Sequence, residues 1–267
     1  MIKAIAHPTD FSPEGKSAFV HALGIALANK CRLDLLHVRQ GGETEHFEKF
    51  PHVREVLERW GVLAVGTKVE DIAAEAEIAV RKVEIRDADP VDGLARFLSS
   101  HKADLIVMAT HGQTGLNRWL AGAVSAELAH ETNVATLLVG PRARPFVVQD
   151  AGAINLRHVL MPIASSPPPG AAMKAFSEFA SGMTEGLDCI HVGQQAPTTS
   201  DPDGHAVPVR RVDGKVIDVI LAEAETADLI VMPTAGRQGF LDALRGSTSE
   251  QVVARATCPV LAVPTQA

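Results

Sequence analysis

Long apolar runs, a surplus of positive charge and paired cysteines are all missing from this chain, and each absence removes a class of protein. No segment reaches the roughly 18 uninterrupted apolar residues of a membrane-spanning helix. The start, Met1-Ile2-Lys3-Ala4-Ile5-Ala6-His7, lacks the apolar core of a secretory signal. The expectation is a cytoplasmic soluble protein with no membrane partner. A formal net charge of −7 argues against a nucleic-acid binder, which would cluster Lys and Arg. Cys31, Cys189 and Cys258 are odd in number and far apart, so neither a disulfide framework nor a CxxC metal or redox pair is indicated, and they read as small buried hydrophobes. There is no Gly-x-Ser-x-Gly elbow, no His-Glu-x-x-His and no Gly-Lys-Ser/Thr P-loop, which leaves hydrolase, metalloprotease and Walker-type readings without support. What remains, 46% hydrophobic and 21% charged over 267 residues, suits one large or two ordinary globular domains.

A repeat decides between the two. Asp104-Leu105-Ile106-Val107-Met108-Ala109-Thr110-His111-Gly112 recurs as Asp228-Leu229-Ile230-Val231-Met232-Pro233-Thr234-Ala235-Gly236 at an offset of 124, which holds on to Leu137-Leu138-Val139 against Leu261-Ala262-Val263. Earlier, Leu33-Asp34-Leu35-Leu36-His37-Val38 matches Leu187-Asp188-Cys189-Ile190-His191-Val192, and Pro8-Thr9-Asp10 matches Pro162-Ile163-Ala164, at an offset of 154. The second copy has therefore lost about thirty residues between the blocks, and with them a helix. The first copy has helical apolar spacing there, from His52 to Trp60 and Ile72 to Ala79, whereas Gln194 to Ala206 reads as loop.

Within each copy short apolar strands alternate with helices. In the first, Ile2 to His7, Leu33 to Val38, Val80 to Ile85, Asp104 to Ala109 and Val134 to Val139 read as strands. Pro13 to Asn29, Pro90 to Ser100 and Ser125 to Glu131 read as helices, with Pro90 at a first helical position behind Asp87 and Asp89. The pattern predicts an α/β fold whose parallel sheet is covered on both faces. Domains are expected at 1–141 and 156–267, joined by a linker at 142–155.

In such sheets ligands sit at the carboxyl ends of strands, where strand order reverses. The loop Pro233-Thr234-Ala235-Gly236-Arg237-Gln238-Gly239, followed by Gly246-Ser247-Thr248-Ser249-Glu250 at a helix start, allows two readings. Glycines and free N–H groups would admit a phosphate, with Ser247, Thr248 and Ser249 adding hydroxyls and Arg237 or Arg245 adding charge. Alternatively the glycines only shape turns, and Ser247 or Thr248 with Glu250 caps the helix.

Pro8-Thr9-Asp10-Phe11-Ser12, Leu36-His37-Val38, Thr110-His111-Gly112, Gly246-Ser247-Thr248-Ser249-Glu250 and Cys258-Pro259-Val260-Leu261-Ala262-Val263 together resemble the universal stress protein family, in its tandem-domain form. The resemblance implies two doubly wound, five-stranded parallel-sheet domains of the adenine nucleotide alpha-hydrolase-like kind. One branch of the family binds adenine nucleotides such as ATP through Gly-x2-Gly-x9-Gly-Ser/Thr. Here Gly236 and Gly246-Ser247 keep that spacing, with Pro233 in place of the first glycine. In the first copy Gly112 and Gly122 keep it, with Ala109 and Ala123 at the outer positions, and His111 lies in the loop. Asp10 matches the family's acidic residue, which is Ala164 in the second copy, and Val38 and Val192 match the valine beside the adenine. Met108 and Met232, at the ends of the strands preceding the loops, complete the candidate set. Each copy thus keeps half a pocket. Pro233 has no N–H to give, and a lost hydrogen bond to a charged ligand costs roughly 1.5–3 kcal/mol.

Three functions stay open: a regulatory or stress-tolerance module that binds ATP or another adenine nucleotide; a structural protein with degenerate pockets that acts by dimerising; and slow ATP hydrolysis, for which no clear base is present. In single-domain members the last strands of two chains pair, so the resemblance implies that Val134 to Val139 and Val260 to Val263 pair within this chain. A further homodimer is left open. His37 and His191 invite a metal or acid–base role or a structural one. Asp201-Pro202-Asp203-Gly204-His205 reads as an exposed turn, because it lacks the later carboxylate of a calcium loop. Phe47, Phe50, Val53, Val56, Leu57 and Trp60 form an apolar stripe that either covers its own sheet or in part lids a pocket or meets a partner.

Overall fold

The computed structural model describes residues 2–13, 15–41, 44–110, 123–180, 183–235 and 248–265. The candidates His111, Gly112, Gly122, Gly236, Arg237, Gly246 and Ser247 lie outside them. The first copy supplies strands β1 (Ala4–Pro8), β2 (Arg32–Arg39), β3 (Ala79–Arg86), β4 (Leu105–Ala109) and β5 (Thr136–Val139). The second supplies β6 (Leu156–Pro162), β7 (Thr184–Val192), the short β8 (Thr199–Ser200) and β9 (Ala206–Val207), then β10 (Val209–Val212), β11 (Leu229–Ala235) and β12 (Val260–Thr265). The described helices are α1 (Gly15–Asn29), α2 (Val53–Arg59), α3 (Ile72–Glu75), α4 (Pro90–Ser100), α5 (Ala123–Thr132), α6 (Gly170–Ala180), α7 (Val216–Ala224) and α8 (Thr248–Arg255). Among the described residues no helix is long and apolar enough to cross a membrane.

Ten strands form one sheet in the order β10-β7-β6-β11-β12-β5-β4-β1-β2-β3. Each copy is a parallel, doubly wound set of five, and the sets meet where β5 pairs antiparallel with β12. The register there is Thr136↔Ala262, Leu137↔Leu261 and Leu138↔Val260. Strand interiors are apolar on both faces because helices cover both. Leu105, Ile106, Val107 and Met108 are each at most 1% exposed. On one face α1 and α6 share a single core cluster that spans both copies. On the other, α4 and α5 cover the first copy and α7 and α8 the second.

The copies repeat their framework bonds as well as their strands. Asp104 Oδ2 accepts from the Lys3 and Ala4 N–H groups at 2.7 and 3.0 Å. Asp228 Oδ2 accepts from Arg157 and His158, at the equivalent positions, at 2.8 and 2.9 Å. The buried Asp34 of β2 is held by Arg81 of β3 at 2.6 and 2.8 Å. Its counterpart Asp188 is held by Arg210 of β10 at 2.6 Å. At α4 the expected start is present: Pro90 opens the helix, and Asp89 Oδ1 accepts from Val91 and Asp92 at 2.8 and 3.3 Å.

Between β2 and β3 the first copy inserts two short 3-10 turns together with α2 and α3. Phe50, Val53 and Leu57 turn into the core, so the apolar stripe does cover its own sheet, while Phe47 stays 47% exposed. The second copy lacks these helices. Its Gln194 to Ala206 segment is not plain loop, since β8 and β9 pair as a hairpin. Strands of two residues are too short to show an alternating pattern. The turn between them is closed by Asp201, whose Oδ1 accepts from Asp203 and His205 N–H groups at 3.0 and 2.8 Å.

The segment joining the copies is packed rather than free. Phe146 and Val147 are buried against α1, and a side chain at Gly24 would press on Val147. This explains why α1 is buried without interruption from Ala18 to Ala26. His21, inside that helix, donates from Nδ1 to the Ser17 carbonyl (2.7 Å) and accepts the Phe146 N–H at Nε2 (3.2 Å). Phe146 in turn meets Phe179 of α6 edge-on. Gly152, at φ +67°, lies under the ring of Trp60, whose Nε1 donates to the Gln149 carbonyl at 2.8 Å.

Burial lowers the pKa of His21 to about 4 and that of His7 to about 4, against 6.5 for a free histidine. Below pH 6.5 the unfolded chain takes up protons that the folded chain refuses. The contribution of each histidine is therefore complete above pH 6.5 and is lost as pH falls toward 4, by about 1.4 kcal/mol per unit. Urea unfolding between pH 7.5 and 4.5 should show this slope. His21→Gln, which keeps a donor and an acceptor without titrating, should flatten it by about the share of one histidine.

Candidate functional site at the strand-order switch points

Strand order reverses between β1 and β4 in the first copy and between β6 and β11 in the second. In doubly wound sheets a ligand crevice is expected at such a switch point, outside the carboxyl ends of the strands. In the first copy the crevice is bordered by the turn after β1. Thr9 N–H donates to the Leu36 carbonyl (2.8 Å), Phe11 N–H to Thr9 Oγ1 (3.1 Å) and Ser12 N–H to Asp10 Oδ1 (3.0 Å). Phe11 sits at φ +61°, in the left-handed region, and its ring stacks on His37 at 4.1 Å. The turn is thus held by its own side chains, with Asp10 half-buried at the mouth.

Val38 and Met108 lie on β2 and β4, the two neighbours of β1. They belong to the same cluster, on the α4 and α5 side. The structure therefore brings Val38 and Met108 together on one face beside β1, with Asp10 in the turn that follows that strand. In the second copy Val192 on β7 and Met232 on β11 flank β6 in the same way, while Ala164 is exposed where Asp10 would be. Thr248 and Ser249 open α8 and are half-buried.

The paired histidines have a structural explanation. His37 Nδ1 donates to the Thr9 carbonyl and His191 Nδ1 to the Ile163 carbonyl, each at 2.9 Å and at equivalent positions. Each ties the second strand of its copy to the turn leaving the first. His37→Ala and His191→Ala should each lower unfolding stability by about 1–3 kcal/mol in urea titration, since a buried carbonyl then loses its donor.

Two polar groups near the crevices escaped the sequence patterns. His7 of β1 donates from Nδ1 to the Val107 carbonyl at 2.8 Å, and its Nε2 is buried without a partner. Thr234, near the end of β11, is 3% exposed, and its buried Oγ1 has no partner among the described residues. An unpaired buried hydroxyl costs free energy unless something else supplies the bond. Repetition gives one signal: Thr234 stands where Thr110 stands in the first copy. Nothing in the pattern marks His7.

The model of the universal stress protein family matches residues 1–140 and 191–264. The chain belongs to that family. Universal stress protein MJ0531 of Methanocaldococcus jannaschii is 30% identical over 145 residues, covering 52% of this chain and 82% of its own length. A universal stress protein of Mycolicibacterium smegmatis is 27% identical over 248 residues, covering 80% of this chain and 81% of its own length. Among solved structures, a universal stress protein from Archaeoglobus fulgidus superposes with a TM-score of 0.64 at 23% identity, over 98% of this chain and 96% of its own. The Archaeoglobus structure covers nearly the whole chain, so the fold of both copies is one that it shares with that protein.

Proposed function

We propose that this universal stress protein is a cytoplasmic regulatory module that binds an adenine nucleotide in at least one copy. The observation that carries the reading is the buried hydroxyl of Thr234 near the end of β11, which has no partner among the described residues. It immediately precedes the segment with Gly236, nine residues and then Gly246-Ser247. A phosphate or ribose oxygen beside β11 would satisfy that hydroxyl, and the residues after Gly246 lead into α8, whose start favours negative charge. In the first copy the ordered Asp10 turn, with Val38 and Met108, is suited to a base and ribose. The Gly112 and Gly122 pair with His111 would face the phosphates there.

A second reading is favoured by the exposed Ala164 and by Pro233, which offers no N–H: a scaffold acting through protein contacts, including a homodimer. Isothermal titration with ATP, ADP and AMP separates the two. Nucleotide binding predicts saturable heat that Gly246→Trp abolishes for a site in the second copy, or that Asp10→Ala weakens by about tenfold for one in the first. No heat with any of the three nucleotides on the wild type leaves only the scaffold reading.

A further inference from the structure

Away from both switch points, the insertion of the first copy builds a groove of about 430 Å³ between α2, α3 and β3, the last strand of the sheet. That volume lies within the range of about 300–1,000 Å³ usual for small-molecule sites. Its floor is aliphatic, with Val53 and Ile78 buried and Ile72 and Val80 half-buried, and Val69 stands 68% exposed at the lip. The second copy, having lost the insertion, has no counterpart.

The rim carries three basic side chains, and two are already paired. His52 meets Glu55 at 3.0 Å and Arg54 meets Glu58 at 3.7 Å. Lys82 has no carboxylate partner among the described residues; its Nζ stands 6.0 Å from the centroid of the Phe50 ring. Lys82 is exposed at the rim, and partial burial by its neighbours draws its pKa below the usual lysine value. An aliphatic floor ending at a cation that has no carboxylate partner among the described residues is complementary to a molecule with an apolar body and one anionic head. We propose that this groove binds a small amphipathic carboxylate of the fatty-acid type, with Lys82 meeting the head group and Val53, Ile72, Ile78 and Val80 taking the tail.

The test is isothermal titration of the full chain with sodium decanoate, kept below its micelle-forming concentration, with decanol as the uncharged control. Wild type should give saturable heat with decanoate. Lys82→Gln should weaken decanoate by roughly tenfold or more, the effect of losing a charge-assisted bond, while leaving decanol nearly unchanged. Ala73→Trp, which fills the groove from an exposed position, should remove both signals while thermal unfolding by circular dichroism stays close to wild type. Absence of saturable decanoate heat on the wild type overturns the proposal. So does decanoate binding that neither substitution changes, or decanol binding as tightly as decanoate. None of these outcomes depends on whether a nucleotide binds at the switch points.

Discussion

The antiparallel pairing of β5 with β12 is the joint on which the architecture depends. Each copy alone would end in an apolar strand with open hydrogen-bonding groups, an invitation to pair with another chain. Pairing the two buries both edges at once, and Leu137 and Leu261 are fully buried there. These two residues are repeat counterparts of each other, so a local twofold axis passes through their pair. An axis of that kind keeps like faces together. That is why α1 and α6 contribute to one cluster across the joint, and why the connecting segment can lie between them with Phe146 touching both His21 and Phe179.

The parts legible in the sequence were those with a local or repeated signature. β4 and β11 stood out because a short apolar run follows an aspartate in both copies, and the structure shows what that aspartate does: it accepts two N–H groups from the start of the neighbouring strand. The missing helix was legible because two offsets disagreed. The linker was less so. The bond between Phe146 and His21 joins residues 125 apart, and such a contact leaves no periodicity to read. The same holds for the left-handed turn at Phe11, a residue with no intrinsic preference for it. At the candidate site Asp10 and Val38 were named through the resemblance to the family, position by position, since neither residue carries a local signature of its own. The orphan nitrogen of His7 is a product of packing alone.

Comparing the copies separates framework from site. The aspartates at 104 and 228, the ion pairs of Asp34 and Asp188, and the carbonyl-bound histidines at 37 and 191 recur in both, because each copy must close the same sheet. At the switch points the valines at 38 and 192 and the methionines at 108 and 232 recur, but other positions do not: Asp10 faces Ala164 in the alignment, and Ala109 faces Pro233. The extra helices of the first copy add a third kind of divergence. They close over their own core while leaving Lys82 without a carboxylate partner among the described residues.

The direction of the central joint also governs how two sites in this chain would relate. Because the five strands of one copy run opposite to the five of the other, their carboxyl ends, and with them the two crevices, open on opposite edges of the sheet. One molecule could not straddle them, and two ligands would never meet. Any influence of one switch point on the other would have to travel as strain through the four hydrogen-bonded strands β4, β5, β12 and β11 that lie between them. Sites at the two switch points would therefore be back-to-back ports to solvent instead of one enlarged mouth.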